Sequence, residues 1–123
     1  MTPFGAKVRS LRQQRGETLK AMAEALDVSA AYLSALEHGK RGVPTWYMVQ
    51  RIIAHFNVIW DDAEELQRLA EISDPRITID TSGLDPTATE LANLLSVKIR
   101  GLSRKSLEEL TLKLRSVAAR DRV

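Results

Sequence analysis

The chain contains no cysteine. A disulfide frame, a thiolate metal centre and a cysteine nucleophile are thereby excluded together. Aromatic residues are scarce, with two Trp, two Tyr and two Phe in 123 residues. Any core must therefore come mainly from Leu, Ile, Val and Ala, which suits small packed helices. The two histidines, His38 and His55, form no cluster of metal-ligand spacing. No phosphate-cradling glycine loop and no nucleophile motif is present. The acidic group Asp61, Asp62, Glu64 and Glu65 sits where a helix would start, and the helix dipole accounts for it. No catalysis, no metal and no cofactor are expected. No apolar run reaches the length of a membrane span. The opening Met1-Thr-Pro-Phe-Gly-Ala-Lys7 lacks the apolar core of a secretory signal. These absences lead to the expectation of a cytoplasmic protein that does not engage a membrane.

What is present is a moderately apolar chain, 44% hydrophobic, long enough for one domain or one domain with an extension. Its formal net charge of +2 is unevenly spread. Residues 1–42 hold seven Lys/Arg and four Asp/Glu, a balance of +3. Residues 43–82 hold three and seven, a balance of −4, and residues 83–123 hold eight and five, again +3. A basic start followed by an acidic patch suits a chain that turns one side toward an anionic partner. Each charge taken singly is also accounted for as solvation of a helix surface.

Periodicity predicts helices throughout. Phe4, Val8 and Leu11 mark a first helix that ends near Gly16. Thr18 is a cap-type residue ahead of Leu19, Met22, Ala23 and Leu26. Asp27-Val28 makes a break, and Ser29 caps a third helix carrying Leu33 and Leu36, which Gly39 stops. Pro44-Thr45 opens a fourth, with Trp46, Val49, Ile52, Ile53 and Phe56 as its stripe. Trp60-Asp61-Asp62 opens a fifth, with Ala63, Leu66, Leu69 and Ala70 facing inward. Ser73-Asp74-Pro75 ends this unit, placing a boundary between 1–73 and 74–123. Arg76 to Asp80 alternates with β-branched residues and reads as a short strand or extended arm. Asp85-Pro86 then starts a helix bearing Leu91, Leu95, Ile99 and Leu102. Leu107, Leu110, Leu114 and Val117 recur at 3, 4, 3, the spacing of an a/d seam.

The pair of short helices resembles the helix-turn-helix domain of the phage-repressor or Xre type. The matching positions are Thr18, Met22, Ala23, Leu26, Val28, Ser29, Tyr32, Leu33, Ser34, Leu36, Glu37, Gly39 and Lys40. The resemblance covers roughly residues 4 to 70. It implies an all-α fold, a five-helix repressor-like DNA-binding domain. The C-terminal extension adds the short strand or arm and two amphipathic helices.

The resemblance also implies a homodimeric regulator, a repressor or autoregulator, that binds double-stranded DNA at a palindrome. It would lie on the nucleoid when bound. Base-facing positions carry over to Ala30, Ala31, Ser34 and Ala35, and phosphate contacts to Lys40 and Arg41. Thr18 and Ser29 stand at the two helix starts, and His38, placed with Lys40 and Arg41 just past the helix, offers a further polar contact. Alanine can touch a thymine methyl but cannot hydrogen-bond a base edge. Direct readout on this helix is therefore thin. Shape, water and half-site spacing would supply the rest. Arg12 and Glu37 carry over as a structural pair between the first and third helices. Two departures stand out. Leu19 replaces the usual Gln, so it is expected to pack inward, and Asp27 replaces the usual Gly at a turn needing positive φ. Tyr32 is expected to pack its ring, and Trp46 and Trp60 to fill the core or a dimer contact. Residues 76–123 remain open between a homodimerisation element and a segment that binds a protein partner, as in an antitoxin or an adaptor.

Overall fold

The computed structural model describes residues 1–40 and 43–122. Among them all regular structure is helical. The chain divides into two compact units, Met1–Ile77 and Thr78–Val123. The first holds α1 (Pro3–Gln14), α2 (Leu19–Ala25), α3 (Ala30–His38), α4 (Trp46–Phe56) and α5 (Asp61–Glu71). The second holds α6 (Pro86–Lys98), a 3₁₀ turn at Ile99–Gly101, and α7 (Arg104–Arg120).

Local chemistry fixes where these helices begin. Thr2, Thr18, Ser29 and Thr45 each accept a backbone N–H from three residues on, giving one orphan donor of the first turn its partner. Left-handed residues end or join them. Gly39 (φ 80°) closes α3 and Asn57 (φ 54°) closes α4, while Asp27 (φ 56°) makes the bend after α2. Asp and Asn adopt this region at modest cost. Trp60 also holds φ at 54° at the start of α5, where a bulky side chain is strained.

Packing then assembles the first unit. Phe4 and Val8 of α1, Met22 of α2, Leu33 of α3, Ile52 of α4 and Leu66 of α5 are all fully buried, so every helix supplies the core. α1 packs against α3 and α5, α2 against α3, and α4 against α5. The α1–α3 crossing is close. A Cβ on Gly5 would fall on the backbone carbonyl of Glu37. Buried Thr2 seals the same corner: its Oγ1 accepts from Gly5 N at 3.0 Å and its N–H donates to the Glu37 carbonyl at 3.4 Å. Ser73 ties α1 to the end of α5, accepting from Phe4 N at 2.9 Å and donating to the Leu69 carbonyl.

Two sequence expectations lose one of their alternatives here, the strand for Arg76 to Asp80 and the core for Trp46 and Trp60, and the placing of His38 is corrected. Arg76 to Asp80 forms no strand. Its β-branched alternation supplies propensity, but an all-helical unit offers no ladder for it to join. Trp46 and Trp60 do not enter the core, being 74% and 81% exposed. On α4 the buried line runs through Met48, Val49, Ile52 and Phe56, which leaves Trp46 at its edge. His38 is the last residue of α3 rather than a loop residue beyond it.

In the second unit Asp85 caps α6, accepting from Thr87 N at 2.8 Å, and Ser103 caps α7. None of its described residues is buried.

Two outcomes follow from these contacts. Gly5→Ala should lower the unfolding free energy of the first unit by about 3 kcal/mol, because both colliding elements are backbone of packed helices; denaturant unfolding measures it. The second concerns acid. The Thr87 backbone N–H, helped by the Thr87 hydroxyl, holds the Asp85 carboxyl below its ordinary 3.8. The lowered value means that the cap is fully formed above the ordinary carboxylate range and is lost as pH falls through the folded value. Helicity assigned to α6 by NMR should therefore fall at acid pH in the parent, and an Asp85→Asn variant should flatten that response.

Candidate nucleic-acid interface

α2, the Asp27 bend and α3 form a rigid corner. Leu26 N donates to the Met22 carbonyl, and Val28 N returns to the Ala23 carbonyl at 3.0 Å. Met22, Ala23 and Leu26 are buried on one arm, Leu33 and Leu36 on the other. Leu19, Val28 and Tyr32 pack part-buried against the same core. The departure at position 19 is thus a core contact.

The opposite side of α3 faces outward. Ala30 and Ala31 are exposed in its first turn, and Ser34 and Ala35 are half-exposed one turn on. Ser29 Oγ accepts from Tyr32 N at 3.0 Å, and Thr18 Oγ1 from Ala21 N at 3.0 Å. Both residues are exposed. A hydroxyl that accepts this way keeps its own hydrogen for a further acceptor. At the far end His38 Nδ1 lies 2.8 Å from the Ser34 carbonyl, and exposed Lys40 follows the left-handed Gly39. Arg41, assigned to phosphate from the sequence, lies outside the described residues.

The anchoring of this helix is electrostatic as well as apolar. Glu37, 3% exposed as a residue, accepts from Arg12 Nε at 3.2 Å. Arg12 also donates through Nη1 to the Glu17 carbonyl at 3.2 Å. One guanidinium thereby joins α1, the buried end of α3 and the turn leading into α2.

The sequence reading had no part for a second set of contacts. His55 Nε2 lies 2.6 Å from Glu17 Oε1, and Arg15 Nη1 donates to the His55 carbonyl at 2.7 Å. The Arg15 guanidinium also stands 5.5 Å over the Phe56 ring. Together they clasp the α1–α2 turn to the end of α4. The partners lie 38 and 40 residues apart, and no local pattern signals them. Lys20 is also exposed in the first turn of α2, two residues after Thr18. A cation in the first turn after a cap was the available signal for it.

The sequence behind this geometry has counterparts in known proteins. A model of the helix-turn-helix domain matches residues 3–69. The chain belongs to the helix-turn-helix family of transcriptional regulators. It is 27% identical over 122 residues to RghRB of Bacillus subtilis, described as an uncharacterized HTH-type transcriptional regulator, covering 90% of this chain and 88% of that one. That likeness continues past the matched domain into the second unit. Two shorter likenesses cover about a third of this chain each. One is to the HTH-type transcriptional repressor RghR of the same bacterium, 48% identical over 44 residues and 33% of its length. The other is to the HTH-type transcriptional regulator PrpR of Mycobacterium tuberculosis, 49% identical over 39 residues and 8% of its length. No solved structure matches. No helix among the described residues is long and apolar enough to cross a membrane.

The Arg12–Glu37 pair can be tested apart from DNA. Glu37→Ala would strand a guanidinium that is only 14% exposed and open a small void at the crossing. It should destabilise the first unit by about 3 kcal/mol, the range for breaking a buried pair from one side. Thermal melts of the full chain at matched concentration provide the measure.

Proposed function

We propose that this protein is a DNA-binding repressor or autoregulator that acts as a homodimer on a palindromic operator. The observation that carries the reading is the two-sidedness of α3. Leu33, Leu36 and Glu37 fasten one side of it into the core, while Ala30 and Ala31 stand exposed at its N-terminal end. A helix held so firmly, with small residues outward, can approach base edges closely in a major groove. Ala30, Ala31 and Ala35 would meet thymine methyls, and Ser34 would add one adaptable hydrogen bond. Lys40 and the neighbouring Arg41 would face phosphate, with Thr18, Ser29 and His38 adding polar contacts along the backbone.

Such a helix discriminates weakly when it acts alone. Two copies with half-sites one helical turn apart, roughly 34 Å, would combine two weak readings into one selective one. The sign of regulation is drawn from the relative named as a repressor. The setting proposed with it is the cytoplasm, on nucleoid DNA.

Selection of the full chain from random duplex DNA tests the reading, and an enriched palindrome is the expected result. Recovery of no sequence at low salt would sink it. On the selected operator, affinity should fall steeply as salt rises. Lys40→Ala should weaken binding to all sequences alike and reduce the log–log salt slope by about one. Ala31→Glu should abolish binding with the fold intact, since it sets a carboxylate against the groove.

A further inference from the structure

One ionisable group beside the proposed DNA surface has the wrong sign for it. Glu17 comes immediately before Thr18, whose exposed hydroxyl the reading above turns toward the DNA backbone, and three residues before exposed Lys20. A bare carboxylate there would repel phosphate. This one has a partner. Glu17 Oε1 lies 2.6 Å from His55 Nε2 at the end of α4, and the two side chains are only 15% and 12% exposed. Among the described residues no other carboxylate comes within ion-pair distance of His55, and no other cationic side chain within that distance of Glu17.

The neighbouring charges are committed elsewhere. Arg12 of α1 donates to Glu37 through Nε and meets Glu17 only at its backbone carbonyl, through Nη1. Arg15 donates to the His55 carbonyl and lies over the Phe56 ring, which meets the His55 ring edge-on at 4.9 Å. Arg51, one turn earlier on α4, stands 5.8 Å over the Tyr47 ring. Lys20 and Glu24 on α2 are exposed, as are Asp61 and Asp62 at the start of α5, the helix packed on α4. Arginine, lysine and carboxylate groups keep their charges near neutral pH, whereas histidine ordinarily changes its own between pH 5 and 8. The part of the local charge that can change is therefore that of the Glu17–His55 pair. With the imidazolium the pair is neutral, and with neutral imidazole it carries one negative charge. The hydrogen bond outlasts the change, because a neutral ring bearing hydrogen on Nε2 still donates to Glu17. Proton loss alters the charge and leaves the clasp standing.

We infer that His55 sets the charge Glu17 presents to DNA, so that operator binding takes up a proton and strengthens as pH falls. The inference rests on the DNA-binding reading above and adds a regulation to it. Its sign follows from linkage. Phosphate favours the neutral pair over the negative one, so protonating His55 tightens DNA binding, and DNA in turn favours the proton. At low salt the Debye length of about 30 Å brings several phosphates within reach of the pair.

Affinity for the selected operator at pH 6 and pH 8, in about 0.01 M salt, tests this. The other histidine, His38, is itself placed at the DNA, so every chain compared carries His38→Gln. In this reference chain affinity should rise about fivefold from pH 8 to pH 6. The rise should shrink as salt is added. His55→Gln, whose amide can still donate to Glu17, should bind at the weaker level at both pH values. Glu17→Gln should bind about fivefold tighter than the reference at pH 8. The double variant should hold that tighter level at both pH values. Any other group that titrates in this interval is common to all four chains. A clasp that acts only by shape gives the opposite sign for Glu17→Gln, and a loss of fold cannot tighten binding. Weaker binding by Glu17→Gln at pH 8, or a reference profile as flat as that of His55→Gln, would overturn the inference and leave the DNA reading standing. A chain that selects no sequence at either pH would end both.

Discussion

The buried carboxylate of Glu37 is the point on which the first unit turns. A charge at 3% exposure persists only with a partner, and Arg12 supplies one. That requirement has consequences at three places. The Arg12 guanidinium also holds the Glu17 carbonyl, so the entry to α2 is set by the same group that orients α3. The Glu37 backbone crosses α1 where only glycine fits, at Gly5. Its carbonyl takes the Thr2 N–H that closes the start of α1. Replacing the pair by apolar residues of equal volume could leave stability unchanged. It would remove the directional contacts that make the α1–α3 angle single-valued. For a helix that must present a fixed face, orientation matters more than raw stability.

A second clasp supports the first. Arg15, Glu17 and His55 fix the α1–α2 turn to the end of α4. The corner is therefore held from two directions, through α3 by Glu37 and through α4 by His55. Its outward side carries small side chains and hydroxyls, and the polar groups that need partners are turned inward. This distribution suits a surface meant to be covered by a polar polyanion and to release it again.

Some of this was legible in the sequence because its causes are local. Thr18, Ser29, Asp27 and Gly39 act within a few residues of themselves through caps and left-handed turns, and they marked α2, the bend and the start of α3, whose end runs on through His38. Inward positions such as Met22, Leu33, Ile52 and Leu66 followed from period alone. What failed or was missed has non-local causes. The edge of an apolar stripe, where Trp46 sits, depends on what the facing helix covers. The reach of Arg76 to Asp80 into a strand depended on a neighbouring ladder that an all-helical chain does not build. Gly5 against Glu37, Phe4 against Ser73, and His55 against Glu17 join residues far apart in sequence, and no spacing announces them. The Arg12–Glu37 position came from the family resemblance rather than from pattern.

The two units obey different physical rules, and the difference bears on how the molecule works. The first closes on itself: every helix buries a side chain, and buried Thr2, Glu37 and Ser73 find their partners within it. The second has capped helices and, among its described residues, no buried side chain. Were the proposed homodimer to pair through this unit, folding of α6 and α7 and association would become one equilibrium governed by concentration. With α3 in the groove as proposed, a helix rich in alanine would bind weakly by itself, so occupancy of DNA would track such a dimer and rise more steeply than protein concentration. Weak reading at each half-site is then an asset. It would leave selectivity to the paired state.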